Sequence, residues 1–260
     1  MCLLVVAFRA HPQYRLVVAA NRDEFHDRPA APLAKWSAPE ILAGRDLRAG
    51  GTWLAVDRTR RFGVVTNFRD MQPPVPGSPS RGALIPEFLA QSGPAGTFLE
   101  KLAPAAQTYS GFNLLLCDAD GLHYASNRAT PFQRELTPGL YGLSNHLLDT
   151  PWPKLTRVRT EFAAWIAAPA ASAEQLLSIL ADRTPAAPAP GAELQGLGPE
   201  WQRALSAPFV LNPTFGTRSS TVVLVNAAGE LAVWERRFDR EGEPSGESHV
   251  VLAPGEWVQK

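Results

Sequence analysis

Cysteine is scarce in this chain of 260 residues: Cys2 and Cys117 are the two present, too few to staple a disulfide scaffold. Net charge is lacking as well. Lys and Arg total 25, as do Asp and Glu, so no field of one sign draws the chain to nucleic acid or to an acidic membrane. No apolar run approaches the ~20 residues that a spanning helix needs. The apolar stretch Leu3–Phe8 is short and has no basic segment before it, unlike a secretory signal. His26, His123 and His146 share no spacing with cysteines or carboxylates that would hold a metal. These absences give the expectation of a soluble chain in a reducing, cytoplasmic compartment. They also predict no nucleic-acid partner, no membrane span, no metal and no required cofactor.

What is present is ordinary for a globular protein, with 45% hydrophobic and 19% charged residues. A single domain over residues 1–260 can bury a full core. Proline is plentiful at 24 and clusters in two places, Met71–Pro79 and Pro185–Pro190, both read as exposed loops. Apolar and β-branched runs predict four strand pairs: Leu3–Phe8 with Tyr14–Ala20, Gly51–Val56 with Phe62–Thr66, Gly111–Cys117 with Leu122–Ser126, and Ser219–Val225 with Leu231–Arg237. Three- and four-residue apolar spacing predicts helices over Ala83–Gln91, Gly96–Leu102, Pro153–Ala167 and Ala173–Asp182. Hairpins with helices grouped between them make an α+β pattern, and continuously apolar strands such as Thr221–Val225 suit sheets covered on both faces. Two stacked antiparallel sheets flanked by helices, a four-layer αββα sandwich, satisfy both.

Cys2 follows the initiator Met, and it is small enough for that Met to be trimmed. A Cys at the true N-terminus carries a thiol and an α-amine. The amine, whose ordinary pKa is ~7.7–8.0, can act as base toward its own nucleophile. Acyl transfer then needs a group to orient the amine and donors for the oxyanion. Asp23 at the end of the second strand is placed for the first task. Asn67 or Asn145, each at a strand end, can donate to the oxyanion, and Arg22 or Arg218 can favour the thiolate. Glu24 anchors a backbone N–H or pairs with Arg22, and Trp53 and Trp152 can line a pocket.

The run Asn21-Arg22-Asp23-Glu24 behind the Cys2 strand resembles the NRDE-motif family, also called the transport-and-Golgi-organisation family. Six more blocks follow in order: Gly50 to Ala55, Gly63 to Arg69, Ser80 to Gly82, Gly142 to Asn145, Asp149 to Lys154 and Phe215 to Thr221. The family in turn is similar to the N-terminal-nucleophile hydrolases, which implies the αββα fold. In the cysteine branch that cleaves linear amides, an Asp matching Asp23 bonds the α-amine, and an Arg stands where this chain has Ala19. The resemblance implies two functions. One is a carrier that mobilises haem or handles acyl-CoA or lipid, with Asn21, Arg22, Glu24, Arg69 and Trp53 binding the ligand. Arg22 and Arg69 would then meet phosphate or propionate groups, and Cys2 can serve as a thiolate ligand to haem iron. The other is a hydrolase of a linear amide or thioester through Cys2, with Asp23, Asn67, Asn145 and Arg218. The carrier leads because the hydrolase-type Arg is missing at Ala19.

Overall fold

The computed structural model describes residues 2–69, 77–168, 172–186 and 197–258. The first strands are β1 (Cys2–Phe8) and β2 (Tyr14–Phe25), followed by β3 (Ala30–Lys35), β4 (Ile41–Asp46), β5 (Leu54–Asp57) and β6 (Phe62–Asn67). Helices α1 (Leu84–Leu89) and α2 (Ala95–Leu102) precede β7 (Phe112–Cys117), β8 (Leu122–Ser126), β9 (Gln133–Leu136) and β10 (Gly139–Leu143). Next come α3 (Pro153–Ala167), α4 (Ala173–Leu180) and α5 (Pro199–Leu205). The last strands are β11 (Phe215–Asn226), β12 (Leu231–Phe238) and β13 (Pro244–Leu252). Most of the expected loop Met71–Pro79 and of Pro185–Pro190 lies outside the described residues.

All strand pairs are antiparallel, and the fold is α+β. One sheet has six strands in the order β10-β1-β2-β11-β12-β13, the other seven in the order β3-β4-β5-β6-β7-β8-β9. Period-two alternation sorts their side chains. Leu4, Val6, Leu16 and Val18 from the first sheet meet Leu54, Val56, Val64 and Leu115 from the second in one buried layer. The opposite faces carry helices: Leu84, Phe88 and Leu99 cover the seven-stranded sheet, and Leu155, Phe162 and Leu177 cover the six-stranded one. Side-chain polar groups hold the joints. Asp118 Oδ1 accepts from the N–H of Asp120 and Gly121 to set the β7–β8 turn, while its Oδ2 accepts from Ala95 N–H at the start of α2.

Two departures from expectation shape the site. Strand β2 does not end at Ala20 but runs through the whole Asn21–Glu24 motif, because Phe215 to Ser220 of β11 pair with it. Strand β10 was not expected; it pairs with β1 as a sheet edge and delivers the Ser144–Asn145 turn beside Cys2. A register shift between Thr217 and Ser219 leaves Arg218 as the extra residue of a bulge, a device that re-aims a side chain.

Candidate functional site

Because the motif lies within a strand, its side chains alternate between faces. Cys2 pairs with Arg22 across β1 and β2, and both line the space between the sheets together with Trp53 and Thr66. Asn21 and Asp23 face the helices instead. Asn21 spends its amide on structure: Nδ2 donates to the carbonyls of Leu180 (2.8 Å) and Pro208 (3.0 Å), and Oδ1 accepts from Ser220 Oγ (2.6 Å). That geometry fastens α4 and the segment before β11 to β2. It leaves the Asn21 amide no free hydrogen atom for a ligand.

Asp23 is 1% exposed, and Thr217 Oγ1 donates to its Oδ1 at 2.7 Å. Thr217 Oγ1 in turn accepts from Val210 N–H at 2.9 Å, so the carboxylate is held from a second layer. Burial pushes the Asp23 carboxyl up, with Lys154 and the Thr217 hydroxyl opposing. Burial likewise raises the Cys2 thiol, against the Asp23 backbone N–H and the Arg22 guanidinium, which favour the thiolate. Cys2 itself is half-buried, and the cleft at its side chain has a volume of about 10 Å³, room for one water.

The backbone N–H of Cys2 donates to Asn145 Oδ1 at 3.0 Å, and Asn145 Nδ2 donates to the Asn67 carbonyl at 2.9 Å. The Asn145 carbonyl accepts from Arg69 N–H at 2.8 Å. Asn145 thus ties β1, the end of β6 and the turn after β10 into one knot. Its φ of 57° lies in the left-handed region that Asn tolerates. Asn67, Arg69 and Asn145 open onto a cavity of about 380 Å³ whose other walls include Phe68, Trp201, Leu205 and Phe215.

The predicted residues therefore gather around one end of the sheet stack, but those that line a cavity divide among three, and Asp23 and Glu24 line none of these. Arg22 and Arg69, expected to serve one ligand together, line different ones. Arg218 shares a third with Arg22 and Trp53, and its Nη1 donates to the His26 carbonyl at 2.9 Å. Arg22 lies over the Trp53 ring, its guanidinium carbon 4.3 Å from the ring centroid. Gly44 makes room for that indole, since a Cβ there would sit 2.5 Å from two ring carbons. Glu24 Oε1 accepts from Phe25 N–H at 3.0 Å, and its Oε2 lies 3.8 Å from both Arg22 and Arg28.

Lys154 was missed as a site residue. It is 6% exposed at the first turn of α3, and its Nζ has no hydrogen-bond partner among the described residues. Burial lowers it, Asp23 and Cys2 favour its charge, and Arg69 opposes it. The signal was available: a lysine opening a helix works against the macrodipole, which favours anions there. Thr217 was also missed, being indistinguishable in sequence from any strand threonine.

Known proteins resemble this chain in sequence along most of its length. The family model for Transport and Golgi organisation 2 matches residues 1–240. The mouse Transport and Golgi organization 2 homolog is 36% identical over 259 residues, spanning 91% of this chain and 92% of the mouse protein. The human Transport and Golgi organization protein 2 homolog is 36% identical over 258 residues, with the same two shares. The Drosophila melanogaster Transport and Golgi organization protein 2 is 28% identical over 257 residues, 89% of this chain and 90% of the fly protein. With its Asn21–Glu24 motif in strand β2 and these matches along nearly its whole length, the chain belongs to the Transport and Golgi organisation 2, or NRDE, family.

Proposed function

We propose that this chain carries a small molecule with an apolar body and an anionic group, of the haem or long-chain acyl-CoA class, in the groove beside Cys2. The observation that carries the reading is the cavity of about 380 Å³, with aromatic walls at one side and Asn67, Arg69 and Asn145 at the other. An apolar chain placed there leaves water, while a few convergent polar groups fix its orientation. Arg69 Nη1 is buried without a hydrogen-bond partner among the described residues, which suits a carboxylate or phosphate. Handling without cleavage is favoured by the thiol, which burial holds toward its protonated form. The cleft of about 10 Å³ at the Cys2 side chain favours an acyl ligand in the larger groove over haem bound through a Cys2 thiolate. We read the layering as that of the N-terminal-nucleophile hydrolases, the chain as one domain, and its compartment as the cytoplasm.

One contact favours a second reading, a hydrolase of a linear amide or thioester. Cys2 N–H meets Asn145 Oδ1, with the Asp23 carboxyl buried close by. Removal of Met1 would make that nitrogen an amine, able to act as base toward its own thiol. Intact mass after incubation with a long-chain acyl-CoA, alongside a haem titration, separates the two. The carrier gives saturable binding, no mass change and no free acid. A Cys2 adduct that turns over to free acid, and disappears in Cys2→Ala, would overturn it.

A further inference from the structure

Behind Arg22, between the edge of β3 and strands β11 and β12, lies a separate cavity of about 230 Å³. Its charged lining is uneven: Arg22, Arg218 and Arg237 face one carboxylate, Glu235. That carboxylate is already committed, since Glu235 Oε1 accepts from Leu33 N–H at 2.8 Å and from Arg237 Nη1 at 3.1 Å. Among the described residues, the carboxylates paired with Arg22 lie at 3.7 Å (Asp46) and 3.8 Å (Glu24). Both are beyond hydrogen-bond reach, and Arg28 Nε holds Asp46 Oδ2 at 2.6 Å. The bulge carries Arg218 to the rim of this cavity, where its Nε is buried with no hydrogen-bond partner among the described residues. The neighbouring Ser219 is 4% exposed, and its Oγ likewise has no such partner.

Buried donors without acceptors are costly, and two of them, Arg218 Nε and Ser219 Oγ, beside the loosely paired Arg22 guanidinium call for a group that accepts from several directions. We propose that this cavity is a binding site for a phosphate or diphosphate group. Guanidinium forks match phosphate oxygens in pairs, and a phosphate offers more acceptor oxygens than a carboxylate to satisfy Arg22, Arg218 and Ser219 together. Trp53 packs against the Arg22 guanidinium and helps hold it in place. The site stands apart from the aromatic groove and does not require the apolar ligand.

Calorimetric titration of the whole chain with inorganic pyrophosphate at low ionic strength tests the assignment. The expected result is saturable one-to-one binding, weakened about tenfold or more in Arg218→Gln and in Arg237→Gln and less in Ser219→Ala, as losses of charge-assisted and neutral hydrogen bonds respectively. Trp201→Ala, which alters the groove alone, leaves pyrophosphate binding unchanged even if no apolar ligand binds there. Should Arg237→Gln fail to fold because Glu235 is left buried, Arg218→Gln and Ser219→Ala carry the test. Absence of saturation at millimolar pyrophosphate, binding unaltered by Arg218→Gln, or acetate binding equally well would overturn the proposal.

Discussion

Asn145 bears two opposed hydrogen bonds on one amide, accepting from Cys2 N–H and donating to the Asn67 carbonyl. Asn145→Ala removes both partners and places a residue with no local hydrogen bond in left-handed backbone. A loss of about 2–4 kcal/mol in urea unfolding is expected, roughly two part-buried groups left without a partner plus the conformational penalty. Asn145→Asp keeps the acceptor for Cys2 N–H but sets an oxygen against the Asn67 carbonyl, so its loss should be smallest at acid pH, where a protonated carboxyl can still donate. Asp23 makes a second residue-scale case. Burial raises its pKa, so the folded chain holds the proton more tightly than the unfolded chain. The stability this gives below the ordinary carboxylate pKa is lost as pH rises through the folded value. Asp23→Asn cannot titrate there, so its Tm relative to wild type should climb across that window and then level off. In Lys154→Met the ammonium that opposes the shift is gone, and the window should extend to higher pH. A Tm difference that falls with rising pH would mean that the surrounding cations outweigh burial.

Among the elements, the approach of Gly51 to Gly82 fixes how β5 enters its sheet. A Cβ on Gly51 would stand 2.4 Å from the Gly82 carbonyl, whose oxygen accepts from Thr52 N–H at 3.0 Å. Gly51→Ala must push these backbones away from each other, and a cost of about 1–3 kcal/mol or more is expected from overpacking. Gly50→Ala has open space but a φ of 77°, so about 1–2 kcal/mol of backbone strain is expected there. Chemical denaturation of both variants checks the order. Elements also show where the sequence was legible. The eight strands expected from apolar runs are all present, and Pro153–Ala167 is helical at the limits that its spacing predicts. Four of the five unexpected strands, β3, β9, β10 and β13, are the sheet edges. An edge strand packs less of its surface, so Gln133–Leu136 and Pro244–Leu252 carry polar residues and a weak apolar signal. The fifth, β4, is interrupted by Gly44, whose purpose is visible only once Trp53 lies against it.

At the scale of the molecule, two sheets with buried layers between and outside them bring Cys2, Asn145 and Arg218 to one end of the stack. Their gathering was legible from ordered motif blocks. Their division among separate cavities was not, because it depends on strand parity and on the extra residue at Arg218. Parity also explains Asn21: one position from Arg22, it faces the helices and serves the scaffold. The central claim is that a ligand lies in the aromatic groove and is held without reaction at Cys2. Equilibrium binding of a long-chain acyl-CoA to wild type, Cys2→Ala and Trp201→Ala, with intact mass recorded on each sample, tests it most directly. The account predicts saturable binding retained in Cys2→Ala, weakened about tenfold in Trp201→Ala by loss of an aromatic wall, and no adduct in any sample. Failure of the wild type to bind, or a Cys2 acyl adduct that turns over to free acid, would contradict it.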